Sequence, residues 1–175
     1  MKTQIFRLMI CCFCLLCFIT GCIREDFELP DEDKVVVGDR LPQFSVMLDD
    51  GHMFSPDSLK GRVLCLTFFN TLCGDCQAEL PVLQQVSTAF STSDVSFVCI
   101  SREEDDASVS AYWQQNGLTM PYSAQTDRTV YNLFASSRIP RIYVVDSTQT
   151  VRFVFTDEPL ATHDELVDAI GSLVK

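Results

Sequence analysis

The chain has 175 residues, with 13 basic and 24 acidic side chains, two histidines and a formal net charge of −11. That balance excludes a nucleic-acid binder, and equally a protein held on anionic lipid headgroups by its own side chains, because both need a basic surface. With 47% hydrophobic residues and no internal repeat, the length suits one domain with a single core.

Met1 to Thr20 opens with Lys2 and Arg7 and continues as an apolar block, Leu8 to Ile19, which includes Cys11, Cys12, Cys14 and Cys17. The block is too short to span a bilayer stably and has the layout of a secretory signal. Its end, Ile19-Thr20-Gly21-Cys22, resembles the bacterial lipobox, in which a signal peptidase cuts before the cysteine and that cysteine carries lipid. The resemblance implies a signal peptide over residues 1–21 and attachment to a membrane through lipid on Cys22. An ordinary signal peptide with a chance cysteine is the alternative. Loss of Lys2 and Arg7 would leave 11 basic residues against 24 acidic ones, so that lipid and not charge would make the membrane contact. Export would also carry the remaining thiols to a compartment where disulfides persist. Residues 22–37, rich in Glu25, Asp26, Glu28, Asp31, Glu32 and Asp33, read as an acidic tether, and the folded domain is expected over 38–175.

Within that domain Gln43 to Leu48 reads as a strand, Asp49-Asp50-Gly51 as a hairpin turn and His52 to Phe54 as the returning strand. Ser55 to Leu59 predicts a short helical turn. Arg62 to Phe69 is apolar, β-branched and aromatic, the pattern of a central strand buried on both faces. Asn70-Thr71-Leu72 makes the turn after it. From Cys73 the period changes, and Cys76, Leu80, Leu83, Val86 and Phe90 recur at three- and four-residue steps on one helical face. Val95 to Ser101 predicts a second buried strand, Asp106 to Asn116 a helix closed by Gly117, and Met120 to Ala124 a short strand. Asp127 to Ala135 reads as a further helix. Strands follow over Arg141 to Asp146 and Thr150 to Phe155, and Thr162 with Glu165 forms a capping box for a last helix running to Lys175. Strands alternating with helices predict an α/β sandwich.

The chemistry concentrates at Cys73-Gly74-Asp75-Cys76. A strand delivers Cys73 to a helix N-terminus, where unpaired N–H groups and the helix dipole favour a thiolate. Cys76, one turn deeper on the same face, is shielded yet placed to attack a mixed disulfide on Cys73. The competing reading of two cysteines at this spacing is half a zinc site, which needs two further ligands. Cys65 and Cys99 sit singly in apolar strands, and His52 and His163 belong to no paired motif, so no metal is expected.

Gly38, Pro42-x-Phe44, Asp50-Gly51, Leu59-Lys60-Gly61, the strand ending Phe68-Phe69-Asn70-Thr71-Leu72, Cys73-x-x-Cys76-x-x-Glu79-x-Pro81, and Ile139-Pro140 before Tyr143-Val144-Val145-Asp146 together resemble the TlpA-like thioredoxin family of exported thiol:disulfide oxidoreductases. The resemblance covers the chain from Gly38 onward. It implies a thioredoxin fold, a three-layer α/β sandwich with an N-terminal β-hairpin and a strand-helix element inserted within Ser93 to Ala124. By position Cys73 resembles the attacking cysteine and Cys76 the resolving one, the two forming a redox disulfide. Pro140 resembles the cis-proline that faces it, with the backbone of Ile139 pairing with substrate. Glu79 resembles an acidic residue able to take a proton from Cys76, although an exposed first-turn glutamate is the other reading. Pro81 should kink the helix.

Three positions depart from the family. Leu72 stands where a tryptophan is usual and keeps an apolar contact for substrate. Thr67 is neutral where cytosolic thioredoxins carry a buried aspartate, which leaves Glu79 and Asp75 as the carboxylates near the site. Asp75 sets a negative charge against a thiolate on Cys73. The resemblance implies no cofactor, protein disulfides outside the cytosol as substrates, and a membrane thiol protein as electron donor. Peroxide reduction of the peroxiredoxin type is the neighbouring enzymatic reading, though it calls for a proline as well as Thr71 ahead of the cysteine. A thioredoxin-fold lipoprotein that only binds, its disulfide merely structural, is the non-enzymatic one.

Overall fold

A computed structural model describes residues 33–91 and 95–174. The expected signal peptide, Cys22 and most of the acidic tether lie outside the described residues.

The hairpin forms as β1 (Val46–Met47) and β2 (Met53–Phe54), shorter than the alternation suggested. Gly51 takes φ +82° in its turn, and Asp50 accepts from the His52 N–H. A 3-10 turn at Pro56–Leu59 leads into β3 (Val63–Phe69), every residue of which is buried. Helix α1 (Gly74–Ala89) follows with Cys73 as its N-cap, then β4 (Val95–Ser101), α2 (Asp106–Asn116) and β5 (Tyr122–Ser123). Gly117 closes α2 in the left-handed conformation that glycine adopts without steric cost. The chain ends with β6 (Arg141–Val145), β7 (Val151–Phe155) and α3 (His163–Gly171). The Thr162–Glu165 capping box is present at the start of α3. That helix stops at Gly171 instead of running on to the chain end.

The other five strands form one sheet in the order β5-β4-β3-β6-β7. β4 runs parallel to β3 and to β5, whereas β6 is antiparallel to both β3 and β7. The crossovers β3-α1-β4 and β4-α2-β5 step in the same direction along the sheet, and right-handed crossovers then put α1 and α2 on one face. Trp113 of α2 accordingly packs on Phe69, ring centroids 4.9 Å apart, and α3 packs beside α1. Successive strand residues face opposite ways, so Phe68 points to the other side. There it meets Phe134 at 4.8 Å, Tyr131 at 5.4 Å and Tyr143 at 6.2 Å. Phe44 extends this aromatic cluster from Phe134 to Phe54 of the hairpin. Each such ring pair is worth roughly 0.5–1.5 kcal/mol beyond its buried area. The result is the expected three-layer α/β sandwich of thioredoxin type, with α2 and β5 as the inserted element.

Two expectations are corrected. The helix expected over Asp127 to Ala135 shrinks to a 3-10 turn at Tyr131–Leu133. The Asp127 carbonyl, which a helix would pair with Tyr131 N, accepts instead from Glu103 N, and Asp127 Oδ1 takes the Thr129 N–H; at the far end Phe134 O accepts from Lys34 N and Val35 N, and Ala135 bridges to Asp33. Asp33, Lys34 and Val35, ahead of the expected Gly38 boundary, are thereby tied to the folded domain. Val35 is buried, a fact that the acidic run around it conceals.

Candidate functional site

The site stands where β3 ends and α1 begins. Arg102 N donates to Phe69 O at 2.9 Å and Asn70 Nδ2 to Arg102 O at 2.9 Å, tying the ends of the parallel strands together. Asn70 also folds the turn itself, its Oδ1 accepting from Leu72 N and its carbonyl from Cys73 N. Glu104, nearly buried, accepts from Thr71 N at 2.8 Å and from the Thr71 hydroxyl. Gln77 of the first helical turn donates to Thr71 O at 2.7 Å. Every residue of the Asn70–Leu72 turn is thus fixed by a side chain.

This frame presents Cys73 at the mouth of α1, half-buried, with its Sγ accepting from Cys76 N at 3.4 Å. The helix end therefore supplies an N–H to that sulfur, as the spacing predicts. Cys76 is fully buried behind it, and both stand as free thiols. Burial pushes the Cys76 thiol well up, the hydrogen bond with Cys73 adds to this, and the Arg102 guanidinium acts in the opposite direction. Leu72 projects into solvent at 88% exposure, an exposed apolar side chain next to Cys73.

The Ile139–Pro140 peptide is cis, as the resemblance implied, and Ile139 O faces Cys73 Sγ at 3.5 Å. Both residues are buried. Glu79 lies on the inner face of α1 at 2% exposure, so the exposed-glutamate reading fails. Burial raises its carboxyl to about 7, against the lowering effect of the Ala161 backbone N–H. Its Oε1 has no hydrogen-bond partner. Pro81 is accommodated inside α1, which continues to Ala89. Cys65 is pushed up to about 12 by burial, and Cys99 is raised by the same cause. Among the described residues no group of three or more His, Cys, Asp or Glu side chains could hold a metal ion. Nor, among them, is any helix long and apolar enough to cross a membrane.

Glu79 and Asp75 are not the only carboxylates near the cysteines, as the sequence suggested, because Glu104 holds the turn directly before Cys73. It sits in the run Glu103-Glu104-Asp105-Asp106, where nothing marks one acid for burial. Arg102, which influences Cys76, was equally unmarked.

Residues 37–154 match the model of the AhpC/TSA family. Among curated relatives, the thiol-disulfide oxidoreductase ResA of Bacillus thuringiensis is 23% identical over 116 residues, covering 66% of this chain and 67% of its own. Among solved structures, a thiol:disulfide interchange protein of the thioredoxin family from Chlorobium tepidum superposes with a TM-score of 0.69 at 25% identity, over 79% of this chain and 97% of that one. The DsbF protein of Mycobacterium tuberculosis superposes with a TM-score of 0.66 at 29% identity, over 75% and 95%.

Proposed function

The chain belongs to the AhpC/TSA family, and on that premise we propose that it is a membrane-anchored thiol:disulfide oxidoreductase that reduces disulfides of exported proteins through Cys73 and Cys76. The observation that carries the reading is the pairing of a half-buried Cys73 at a helix N-terminus with a fully buried Cys76 one turn on. The thiolate of Cys73 attacks one sulfur of a substrate disulfide, forming a mixed disulfide and releasing the first substrate thiolate. Cys76 then gives up its proton and attacks Cys73 Sγ, which releases the second substrate thiolate and leaves a Cys73–Cys76 disulfide. Two electrons have passed to the substrate. A membrane thiol protein restores the dithiol by the reverse exchange.

Glu79 is the proposed acceptor of the Cys76 proton, since it follows on the same buried face and its carboxyl titrates at about 7. Leu72 and the Ile139 backbone form the substrate-facing rim beside Pro140. The anchor is lipid on Cys22, and the residues between it and Asp33 hold the domain off the cell-envelope membrane. The names of the ResA and Chlorobium relatives support thiol–disulfide chemistry, and the secretory layout of residues 1–21 supports an exported site of action.

The test is insulin reduction with dithiothreitol, together with partner trapping. Cys76→Ser should accumulate a mixed disulfide on Cys73, and Cys73→Ser should trap nothing. Peroxide turnover without insulin reduction would favour the peroxiredoxin reading. Adducts forming equally through Cys76 in the absence of Cys73 would overturn the division of roles.

A further inference from the structure

Arg141 is the first residue of β6, directly after Pro140, and it is entirely buried. A guanidinium without solvent needs compensating partners. Its Nε donates to Ser137 O at 3.1 Å, and its Nη1 donates to the carboxylate of Asp33. Asp33 is partly exposed and lies in the acidic segment that leads out of the domain.

The loop that Arg141 grips is held carbonyl by carbonyl. Ser136 O accepts from Arg128 Nη2, while the Tyr131 hydroxyl lies between Ser137 O and Arg138 O with its one proton shared between them. The Tyr131 ring lies against the guanidinium groups of Arg102 at 4.9 Å and Arg128 at 5.3 Å. The next carbonyl, that of Ile139, is the one facing Cys73. Asp33 reaches this frame as part of a strap, through its bridge to Ala135, the Lys34 and Val35 N–H bonds to Phe134 O and the buried Val35 side chain.

We propose that Asp33 is a positioning residue for the thiol site: by holding the Arg141 guanidinium it fixes the Ser137–Pro140 loop opposite Cys73, so that the inner end of the N-terminal segment is part of the active-site frame and not a spacer. The kinetic side of this rests on the reductase reading above; the structural side does not.

The experiment uses the full-length chain and reads amide hydrogen exchange over Ser137 to Ile139 alongside kcat/KM for insulin reduction and the rate at which iodoacetamide modifies Cys73. Asp33→Ala should speed exchange at Ser137 to Ile139 and leave α1 unchanged. It should lower kcat/KM about tenfold, the scale expected when a catalytic frame shifts by a fraction of an ångström, without slowing iodoacetamide. Asp33→Glu should recover most of the loss. Lys34→Ala, on the same strap but bonded through Nζ to Asn132 O, should leave exchange at 137–139 unchanged. If Asp33→Ala does not fold, Asp33→Ala/Arg141→Met removes the buried charge and should still show fast exchange there. Exchange unchanged at 137–139, or raised equally throughout α1, would overturn the proposal. A wild type that exchanges as described but reduces no disulfide would count against the reductase reading and not against this one.

Discussion

Replacing Glu79 with glutamine tests both the energetics and the chemistry of the buried carboxyl. The folded protein holds this proton up to about pH 7, whereas the ordinary value is 4.5. The unfolded chain therefore releases the proton first as pH rises, and folding stability falls through that interval. At 1.36 kcal/mol for each unit of displacement, the wild type should lose about 3 kcal/mol between pH 5 and pH 8. Glutamine is isosteric with the protonated acid and does not titrate. Wild type and Glu79→Gln should therefore have similar stability near pH 5, and the variant should be the more stable one near pH 8. Urea denaturation of both proteins across this range measures the difference, and contributions from other titrating groups cancel in the comparison. The kinetic signature has the opposite direction. Release of substrate from the mixed disulfide should accelerate in the wild type as pH passes through about 7, when the carboxylate becomes able to take the Cys76 proton, and should stay slow in the variant. A stability difference between the two proteins that is constant from pH 5 to pH 8 within about 1 kcal/mol, the error of extrapolated denaturation, would refute the argument.

Cys65 and Cys99 should resist alkylation in the native protein, because burial raises both thiols and leaves almost no thiolate at neutral pH. Mass spectrometry after brief iodoacetamide treatment should find label on Cys73 alone, and labelling of either core thiol at a comparable rate would count against this. Cys22→Ser should move the protein from the membrane fraction to the soluble one. A mature N-terminus without lipid at another position would dispose of the anchor.

The parts of the fold legible in sequence were those whose pattern is local. β3 is apolar without interruption because it is buried on both faces, and α2 is bounded by Asp105, whose side chain caps the Ser108 N–H, and by Gly117. The cysteine pair proposed above as nucleophile and resolving thiol stood out because two cysteines at one-turn spacing after such a strand have few other uses. Residues 127–135 misled because Asp127, which should start the helix, gives its carbonyl to Glu103 N and its side chain to Thr129 N. Glu104 and Asp33 stayed hidden for a related reason. Each is one acid within an acidic run, and only a partner far along the chain, Thr71 or Arg141, singles it out.

The order of the sheet also bears on how the protein reaches its native state. β3 pairs with β4, which follows soon after α1, but its other edge waits for β6, where Leu64 meets Val145. Until that late strand arrives, the most apolar strand of the molecule has one bare edge, and bare apolar edges are templates for aggregation. Folding of the sheet must close a long loop before β6 can be added, which is slow relative to local structure. A chain truncated after Asn116 would thus contain both cysteines of the site on β3, α1 and α2 and still lack the strand that makes the sheet soluble. Addition of β6, and not formation of the helix that follows Cys73, is therefore the step expected to cover the bare edge of β3 as the chain is synthesised.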